Sequence, residues 1–326
     1  MRLLIACPCY NEAATIASVL AGIPKTFTGV DSVRLLVIDD GSSDDTATLA
    51  LKAGAMVIRH KRNMGLGSAF RSAVDYAVEH GFDLMVNMDG DGQFNPADIQ
   101  KLIDPILRQE ADFVSGSRFI HGTAIEHMAP IKRWGNHRMS HLVSRLCGQS
   151  FSDVSCGFRA YARDVLLRIN FHGRFTYTQE SFVFFHFENL AMAERAVEVT
   201  YFPERKSRIA GSVIKYAWRT MGILLGLQRD YYPMRFFSIL GGLFLAPSFV
   251  FGLMFLIHYL SVGYFSGYLF AGLISAFCLL IAVLMFSFGL AMESMVRINR
   301  NQNHILYLQR KAITVLPEEA LRIIIR

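Results

Sequence analysis

The sequence predicts an α/β domain with a mostly parallel, Rossmann-like sheet, followed by two membrane-spanning helices. Short apolar runs alternate with amphipathic runs of helical period from the N-terminus to about residue 115. This alternation is typical of a parallel sheet covered by helices. No Asp, Glu, Lys or Arg occurs in residues 236–292, a length that allows two crossings of a hydrocarbon layer roughly 30 Å thick.

Each predicted element ends at a residue that stops it. Pro8 ends the first strand because proline removes a backbone donor, and Gly54 and Gly81 close two helices. Asn95 followed by Pro96 predicts a helix start, since asparagine caps free amide groups and proline is tolerated in the first turn. The predicted strands are residues 2–7, 33–38, 56–59, 84–88 and 112–115, and the predicted helices are 16–20, 46–53, 68–80 and a segment from Asn95.

Asp89 and Asp91 follow the fourth predicted strand in the run DGDGQ. Side chains two apart on extended backbone point the same way, so these carboxylates can bind one hard cation. Gly90 and Gly92 allow a ligand to approach the backbone closely. Taken alone, the run is read equally well as a metal-diphosphate site or as a carboxylate-rich turn.

Polar residues also follow two other strands, as Asn11-Glu12 and as Asp39-Asp40. Ligands of parallel α/β sheets bind beyond the carboxyl ends of the strands, which lie at one edge. Three polar clusters are therefore predicted to converge there. This recurrence favours the interpretation of Asp89 and Asp91 as part of a binding site.

Two other motifs are interpreted as structural. Gly65-x-Gly67 precedes a helix but lacks the third glycine of a dinucleotide fingerprint and is not in the first βα unit. Cys7-Pro8-Cys9 lacks the two-residue spacer of a redox or zinc motif. The five cysteines are scattered, with Cys278 in the apolar segment, so no disulfide framework is predicted.

The positions of the charges argue against a nucleic-acid partner, although the net charge is +6. Seven Lys and Arg residues lie between Arg205 and Arg235, and six follow Glu293. They flank the apolar segment, as expected when both ends face the cytoplasm beside an anionic leaflet. Residues 3–7 are too short an apolar run for a signal peptide, and no aromatic-basic RNA-binding motif is present.

Several motifs together resemble family 2 inverting glycosyltransferases with the GT-A fold. Later motifs resemble the dolichyl- or polyprenyl-phosphate glycosyltransferase branch, in its membrane-anchored bacterial form. The one departure noted is Cys156, where that branch more often has a small Ser or Thr-type residue. The motifs are residues 7–12 (CPCYNE), 37–46 (VIDDGSSDDT), 63–67 (NMGLG), 89–93 (DGDGQ), 116–118 (GSR), 133–136 (RWGN) and 153–160 (DVSCGFRA).

The resemblance implies a donor site for a nucleotide-sugar and a metal ion. The nucleobase and ribose would be held by Pro8, Tyr10, Glu12, Asp39 and Asp40. Mg²⁺ or Mn²⁺ on the diphosphate would be held by the DxD motif and the following glutamine, that is by Asp89, Asp91 and Gln93. Hard oxygen ligands suit these metals, and the cation offsets the charge of the departing nucleoside diphosphate.

The resemblance further implies that three arginines, Arg118, Arg133 and Arg205, bind the phosphate of a polyprenyl-phosphate acceptor. Guanidinium groups match phosphate oxygens. An acceptor phosphate is already anionic at neutral pH, so it needs no general base and attacks in line with inversion. A hydroxyl acceptor would instead need a base, for which Asp153 and Glu180 are the candidates. Arg159 is expected to brace the Asp153 loop.

The predicted domain organisation is a GT-A domain at 1–211, a juxtamembrane amphipathic helix at 212–235, two transmembrane helices at about 236–259 and 268–292, and a basic cytoplasmic tail at 293–326. We expect an integral protein of a bacterial inner membrane with the catalytic domain and both termini in the cytoplasm. The expected partners are a nucleotide-sugar, polyprenyl phosphate and the lipid bilayer. The oligomeric state is left open, a homo-oligomer included.

Two functional alternatives stay open at this point. One is transfer to a lipid or saccharide hydroxyl in cell-envelope glycan synthesis. Within this class, a processive polysaccharide synthase is disfavoured, because Pro130 stands where the synthase motif has glutamine. The other is a non-catalytic adaptor or flippase subunit. It is disfavoured because degenerate copies lose the metal carboxylates, and Asp89 and Asp91 are both present.

Overall fold

The computed structural model describes residues 1–120, 128, 130–170, 178–200, 222, 225, 226, 228–264 and 267–313. The chain divides into two compact units. The α/β unit comprises Met1–Ser207 together with Ile305–Arg326, and the apolar unit comprises Arg208–His304.

The α/β unit contains a seven-stranded mixed sheet with the order β3-β2-β1-β4-β6-β5-β7. Strands β1 to β4 are parallel to one another, β6 runs antiparallel to both of its neighbours, and β7 is parallel to β5. The strands are β1 Arg2–Cys9, β2 Ser32–Asp39, β3 Met56–Arg59, β4 Leu84–Asn87, β5 Phe113–Ser117, β6 Arg159–Ala162 and β7 Met192–Ala196.

Helices cover the sheet and connect its strands. A 3₁₀ turn, Pro96–Asp98, precedes the fourth helix, and the Asn95 side chain accepts a hydrogen bond from the Ala97 amide at 3.0 Å, as the sequence predicts. The helices are α1 Ile16–Gly22, α2 Thr46–Lys52, α3 Leu66–Glu79, α4 Ile99–Leu107, α5 Pro130–Cys147, α6 Arg163–Arg168, α7 Thr178–Phe187, α8 Pro233–Val262 and α9 Leu269–Ile313.

The central strands are buried on both faces, which explains their nearly continuous apolar sequence. Leu3 and Ile5 of β1 belong to a core cluster that includes residues of α1 and α4. On α3, Phe70 and Val74 are buried, and that helix packs against β1, β2 and β4. The predicted α/β class and the five predicted strands are confirmed, but the prediction that Pro8 ends the first strand is wrong. Strand β1 continues to Cys9, because Pro8 and Cys9 still pair with Ile38 and Asp39 of β2. Strands β6 and β7 were not predicted, because their neighbours in the sheet are far away in sequence.

The apolar unit contains an antiparallel pair formed by α8 and the part of α9 up to His304. Ser248 and Ser275 each donate a hydroxyl hydrogen bond to the other's backbone carbonyl, at 2.9 and 2.8 Å. Gly241 packs against the Phe286 ring. Small residues at such contacts let apolar helices approach closely. Both helices are long and apolar enough to cross a membrane.

Some predicted segments are placed only in part. The juxtamembrane helix predicted at 212–235 falls largely outside the described residues, as does Arg205. Helix α9 continues to Ile313, beyond the predicted end of the second span at 292. The first part of the predicted tail is therefore helical, while the domain boundaries themselves stay predictions.

Candidate active site

Three polar loops meet at the carboxyl edge of the sheet, because β2, β1 and β4 are adjacent and parallel. The Asn11 amide donates to the Ser42 hydroxyl at 2.9 Å, and the Ser43 amide donates to Asn11 Oδ1 at 2.8 Å. The Glu12 amide donates to Thr46 Oγ1 at 2.9 Å. The loops after β1 and β2 thus form one hydrogen-bonded structure, and the predicted convergence of the clusters is confirmed.

Asp39 and Asp40 differ in what their carboxylates contact. Asp39 is fully buried; Oδ1 accepts from the Ser42 amide, and Oδ2 lies 3.1 Å from Arg59 Nε. Oδ2 makes no hydrogen bond of acceptable geometry with any described residue. A buried oxygen in that state is a natural acceptor for a ligand donor.

The Asp40 carboxylate is occupied by the protein itself. It accepts hydrogen bonds from the amides of Met64 and Gly65 at 2.9 and 2.8 Å, and it lies 2.7 Å from His60 Nδ1. These contacts fix the loop that leads into α3. A Cβ on Gly41 would lie 2.5 Å from the Arg62 carbonyl carbon, so this loop packs directly on the backbone after β2. A direct role of Asp40 in nucleotide binding stays a prediction.

Pro8 and Tyr10, the other predicted nucleotide contacts, lie at the end of β1 and just after it. Pro8 is buried and pairs with Ile38 of β2. Tyr10 is 36% exposed, so its ring is accessible to a ligand. Their contacts with a nucleobase stay predictions.

Asp89 and Asp91 lie in the loop after β4, the strand next to β1. Burial raises the pKa of Asp89 to about 7, the Asp91 and Glu12 carboxylates contribute to the rise, and Arg118 and Arg159 oppose it. The Asp91 carboxylate accepts from the Gln93 amide at 3.0 Å. Three carboxylates in electrostatic contact make a strongly negative site at the edge of the sheet.

Glycines bring the loop close to its surroundings. A Cβ on Gly90 would lie 2.3 Å from Cys9 Sγ, and a Cβ on Gly157 would lie 3.0 Å from Asp89 Oδ2. The Thr15 hydroxyl donates to the Gly90 carbonyl at 2.9 Å. Cys9 therefore acts in packing, and burial raises the pKa of both Cys7 and Cys9, which keeps the thiols protonated.

The side-chain oxygens of this loop are suited to bind a hard divalent cation together with a diphosphate. Asp89 and Asp91 offer carboxylate oxygens, and the pKa of Asp89 is raised first by burial and then by the Asp91 charge, both of which a bound cation would offset. Within the described ranges, no group of three or more His, Cys, Asp or Glu side chains is arranged to hold a metal. Further oxygens would come from Gln93 and from the ligand.

Arg118 forms a buried ion pair with Asp153. Arg118 Nε and Nη2 donate to the two Asp153 oxygens at 2.6 and 2.9 Å, and Nη2 also donates to the Ser155 hydroxyl at 2.7 Å. Burial by itself would raise the pKa of Asp153. The Arg118 charge and the hydrogen bonds from Arg118 and Ser155 outweigh it, so that pKa is lowered.

The side chains of Arg159 and Glu194 hold the Asp153 loop in place through hydrogen bonds to its backbone. Arg159 is fully buried and donates to the carbonyls of Cys156 and Val154 at 2.7 and 3.0 Å, as predicted. Glu194 of β7 accepts from the amides of Ser152 and Asp153 at 2.8 and 2.9 Å. The loop is therefore fixed before any ligand arrives.

Helix α5 presents Arg133 at the surface, where its side chain is exposed. Asn136, three residues on, is buried, and its Oδ1 accepts from the Ser155 hydroxyl at 2.6 Å. The helix carrying Arg133 is thus hydrogen-bonded to the loop that holds Arg118. The third predicted arginine, Arg205, lies outside the described residues.

Sequence reasoning did not single out Ser155, Asn136 or Glu194. The first two lie within motifs that carry the resemblance, so their polar side chains beside Arg133 and Asp153 were a usable signal. Glu194 had no such signal, because its contact depends on β7 pairing with β5.

The comparison with known proteins decides the family. A model described as glycosyl transferase family 2 matches residues 4–169, which is just over half of the chain. The chain belongs to glycosyl transferase family 2. The matched region contains most of β1, all of β2 to β6 and both carboxylates of the DxD motif.

Several curated members of family 2 are similar to this chain at modest identity. The polyprenol monophosphomannose synthase of Mycolicibacterium smegmatis is 30% identical over 176 residues, which are 52% of this chain and 64% of that protein. The undecaprenyl-phosphate mannosyltransferase of Micrococcus luteus is 27% identical over 223 residues, which are 66% of this chain and 90% of that protein.

Solved structures of a bacterial enzyme share the fold. Glucosyl-3-phosphoglycerate synthase from Mycobacterium tuberculosis, in complex with Mn²⁺, UDP-glucose and phosphoglyceric acid, has a TM-score of 0.53 at 20% identity, covering 70% of this chain and 78% of that one. The same enzyme with Mg²⁺ and UDP has a TM-score of 0.50 at 22% identity, covering 69% of this chain and 79% of that one. The α/β unit therefore has the GT-A architecture.

Proposed function

We propose that this chain transfers a single sugar from a nucleotide-sugar to polyprenyl phosphate at the cytoplasmic face of a membrane, with inversion at the anomeric carbon. The observation that carries the proposal is the juxtaposition of Asp89 and Asp91 with the Arg118–Asp153 pair. It places an acidic site suited to a metal and a diphosphate beside buried cationic residues. The relatives named for polyprenol- and undecaprenyl-phosphate sugar transfer support this acceptor class.

In the donor half, Asp39 and Glu12 hold the nucleoside and Asp89 and Asp91 hold the diphosphate end. The unsatisfied Oδ2 of Asp39 accepts from a donor on the nucleoside. A bound Mg²⁺ or Mn²⁺, held by Asp89, Asp91 and Gln93, supplies neutralisation of the charge that develops on the departing nucleoside diphosphate. The structures of the mycobacterial glucosyl-3-phosphoglycerate synthase with Mn²⁺ or Mg²⁺, which share the fold, support this assignment.

In the acceptor half, arginine side chains hold the phosphate of the lipid. Arg133 is exposed on α5 and free to reach an acceptor phosphate with its guanidinium fork. Arg118, held by Asp153 and Ser155, keeps a guanidinium at a fixed position, although its charge is balanced there by the Asp153 carboxylate. Arg205 is proposed as the third contact on the resemblance alone. Catalysis then depends on positioning and on electrostatic stabilisation.

The electrostatics of Asp153 argue against one of the two candidate bases that a hydroxyl acceptor would need, the other being Glu180. A general base for a hydroxyl must take up a proton near neutral pH. Asp153 has a lowered pKa and both of its oxygens bind Arg118, so it is a poor base. An acceptor phosphate oxygen is already anionic and needs no base.

The test incubates membranes containing the full chain with a panel of nucleotide-sugars, undecaprenyl phosphate and Mg²⁺ or Mn²⁺, followed by mass spectrometry of the lipid extract. We expect one sugar joined to the lipid through an acid-labile phosphodiester. Asp91→Asn should abolish this product while the protein stays folded and membrane-inserted, because it removes a metal ligand. Glu79→Gln, a carboxyl change on the exposed end of α3, serves as the control and should keep full activity.

Each other product contradicts the proposal in a specific way. An acid-stable lipid glycoside identifies a hydroxyl acceptor, and a polymer identifies a processive synthase. Full activity of Asp91→Asn with metal present would contradict the metal assignment. No metal-dependent turnover with any donor would favour a non-catalytic role.

A further inference from the structure

The last residues of α9 bind the α/β unit, to which they belong, through a specific set of contacts. Tyr307 is 7% exposed. Its hydroxyl donates to Asp164 Oδ1 of α6 at 2.6 Å, and the Arg168 guanidinium carbon lies 4.2 Å from the centre of its ring. A buried tyrosine with a satisfied hydroxyl and a cation over its ring is a well-defined anchor.

Arg310, one helical turn later, binds the end of α6. Its Nη1 donates to the Ile169 carbonyl at 2.7 Å, and its Nη2 lies 3.5 Å from Asp75 Oδ1 of α3. The last carbonyls of a helix have no partner within the helix, so a cation there satisfies them and interacts favourably with the dipole. Arg310 thus fixes the point at which the chain leaves α6.

The contacts continue from α6 to α7. Arg168 donates through Nε to Asp164 Oδ2 at 2.8 Å and through Nη1 to Glu188 Oε2 at 3.1 Å. Glu188 directly follows the last residue of α7. Tyr307, Asp164, Arg168 and Glu188 therefore form one continuous chain of polar contacts. The contribution of Tyr307 to it is consistent with the lowered pKa of Asp164, which burial would raise but the bonds from Tyr307 and Arg168 lower.

We propose that Tyr307 and Arg310 are positioning residues for the active site, acting through α6 and α7. Arg310 binds the end of α6 at the Ile169 carbonyl, and Arg168 of α6 binds Glu188 at the end of α7. The first turn of α7 carries Ser181, whose hydroxyl accepts a hydrogen bond from Arg159 Nη1 at 2.7 Å, and Arg159 braces the Asp153 loop. Loss of either anchor lets α7 shift and misplaces that turn.

The alternative is that the contacts only add stability. A stabilising contact acts on the whole cooperative unit, whereas a positioning contact acts locally. Backbone amide exchange separates the two, because it reports opening segment by segment. The strands β1, β2 and β4 serve as the internal reference, since they form the buried centre of the sheet.

The experiment compares hydrogen exchange in the full-length protein with that of Tyr307→Phe and Arg310→Gln. Tyr307→Phe removes only the hydroxyl and keeps the ring. We expect exchange to rise about tenfold in α6 and α7 and to stay unchanged in the three reference strands. Tyr76→Phe and Arg108→Gln, changes of the same chemistry elsewhere in the α/β unit, should leave α6 and α7 unchanged.

A second measurement uses the sugar-transfer assay and rests on the proposed function. We expect both variants to lower kcat severalfold with the donor KM nearly unchanged, and Arg310→Lys to recover part of the loss because one donor to the Ile169 carbonyl remains. Exchange that is unchanged in α6 and α7, or raised equally in every strand, would overturn the inference. If the wild type transfers no sugar, the proposed function fails. The exchange measurement still decides whether Tyr307 and Arg310 position α6 and α7.

Discussion

At the scale of single residues, Gly90 shows how closely the loop that carries Asp89 and Asp91 is packed. The position where a Cβ would stand is 2.3 Å from Cys9 Sγ, well inside van der Waals contact. We expect Gly90→Ala to cost about 1–3 kcal/mol, typical of overpacking, and to displace the loop carrying Asp89. The melting temperature and the metal-dependent activity should both fall.

The matched control for that change is Gly22→Ala, because a Cβ there would meet only the Pro96 side chain at an ordinary 3.6 Å. Its melting temperature should stay near that of the wild type. Adding Cys9→Ala to Gly90→Ala removes the clashing sulfur and should recover part of the stability. Equal melting temperatures for Gly90→Ala and the wild type would contradict the steric explanation.

The buried Arg118–Asp153 pair gives a second prediction at this scale. Asp153→Asn leaves the Arg118 charge buried without its partner, and breaking a buried pair costs about 3–5 kcal/mol. Because the pKa of Asp153 is lowered in the folded state, its contribution is fully present above the ordinary aspartate pKa of about 3.9 and is lost as pH falls through the lowered value. The melting temperature of each protein at several pH values measures both the loss of stability and its dependence on pH.

The expected pattern is a large difference in melting temperature between the wild type and Asp153→Asn at neutral pH that narrows only below about pH 4. Glu110→Gln is the control, since its pair with Arg195 is 3.7 Å long and exposed, and exposed pairs contribute at most about 1 kcal/mol. A difference that narrowed near neutral pH would contradict a lowered pKa.

At the scale of elements, the pair of apolar helices is specified by small residues on one face. Gly241 and Gly242 are neighbours, but a Cβ on Gly241 would lie 3.1 Å from the Phe286 ring, whereas nothing lies within 4 Å of the same position on Gly242. We expect Gly241→Leu to separate α8 from α9 and Gly242→Leu to be tolerated. Thermal unfolding in detergent and cross-linking of engineered cysteines in the two helices measure this.

The predicted difference between the two glycines depends on helix packing and not on hydropathy, because both substitutions add the same apolar side chain. Equal effects of the two leucines would show that α8 and α9 do not pack through this face. The paired hydrogen bonds of Ser248 and Ser275 lie on the same interface, and such bonds between apolar helices contribute about 0.6 kcal/mol on average.

At the scale of the whole molecule, the sequence predicts an integral membrane protein with both termini in the cytoplasm. We expect the chain to stay in the membrane pellet after alkaline carbonate washing. A fluorescent protein fused after Arg326 should fluoresce, whereas alkaline phosphatase fused there should be inactive, and fusions after Gly263, between α8 and α9, should give the opposite result. Release of the chain by carbonate would contradict membrane insertion.

Much of this organisation could be predicted because it is local in sequence. Asn95 and Pro96 define a helix start by their own chemistry, and the DGDGQ run after an apolar strand identifies a candidate site. The parallel order of the first strands follows from their connection by helices. Strand β6, in contrast, is inserted antiparallel between β4 and β5, and no local signal in residues 159–162 identifies its neighbours.

The sequence by itself determined the α/β class, the family resemblance, the acidic edge and the two apolar helices, because each depends on the type and spacing of nearby residues. Only the tertiary structure decided which charges meet. Asp153 was a candidate base from its sequence position, and its burial against Arg118 makes it a poor one. Tyr307 and Arg310 had no readable role until folding placed them against α6, since contacts between residues more than a hundred positions apart depend on the packing of the whole unit.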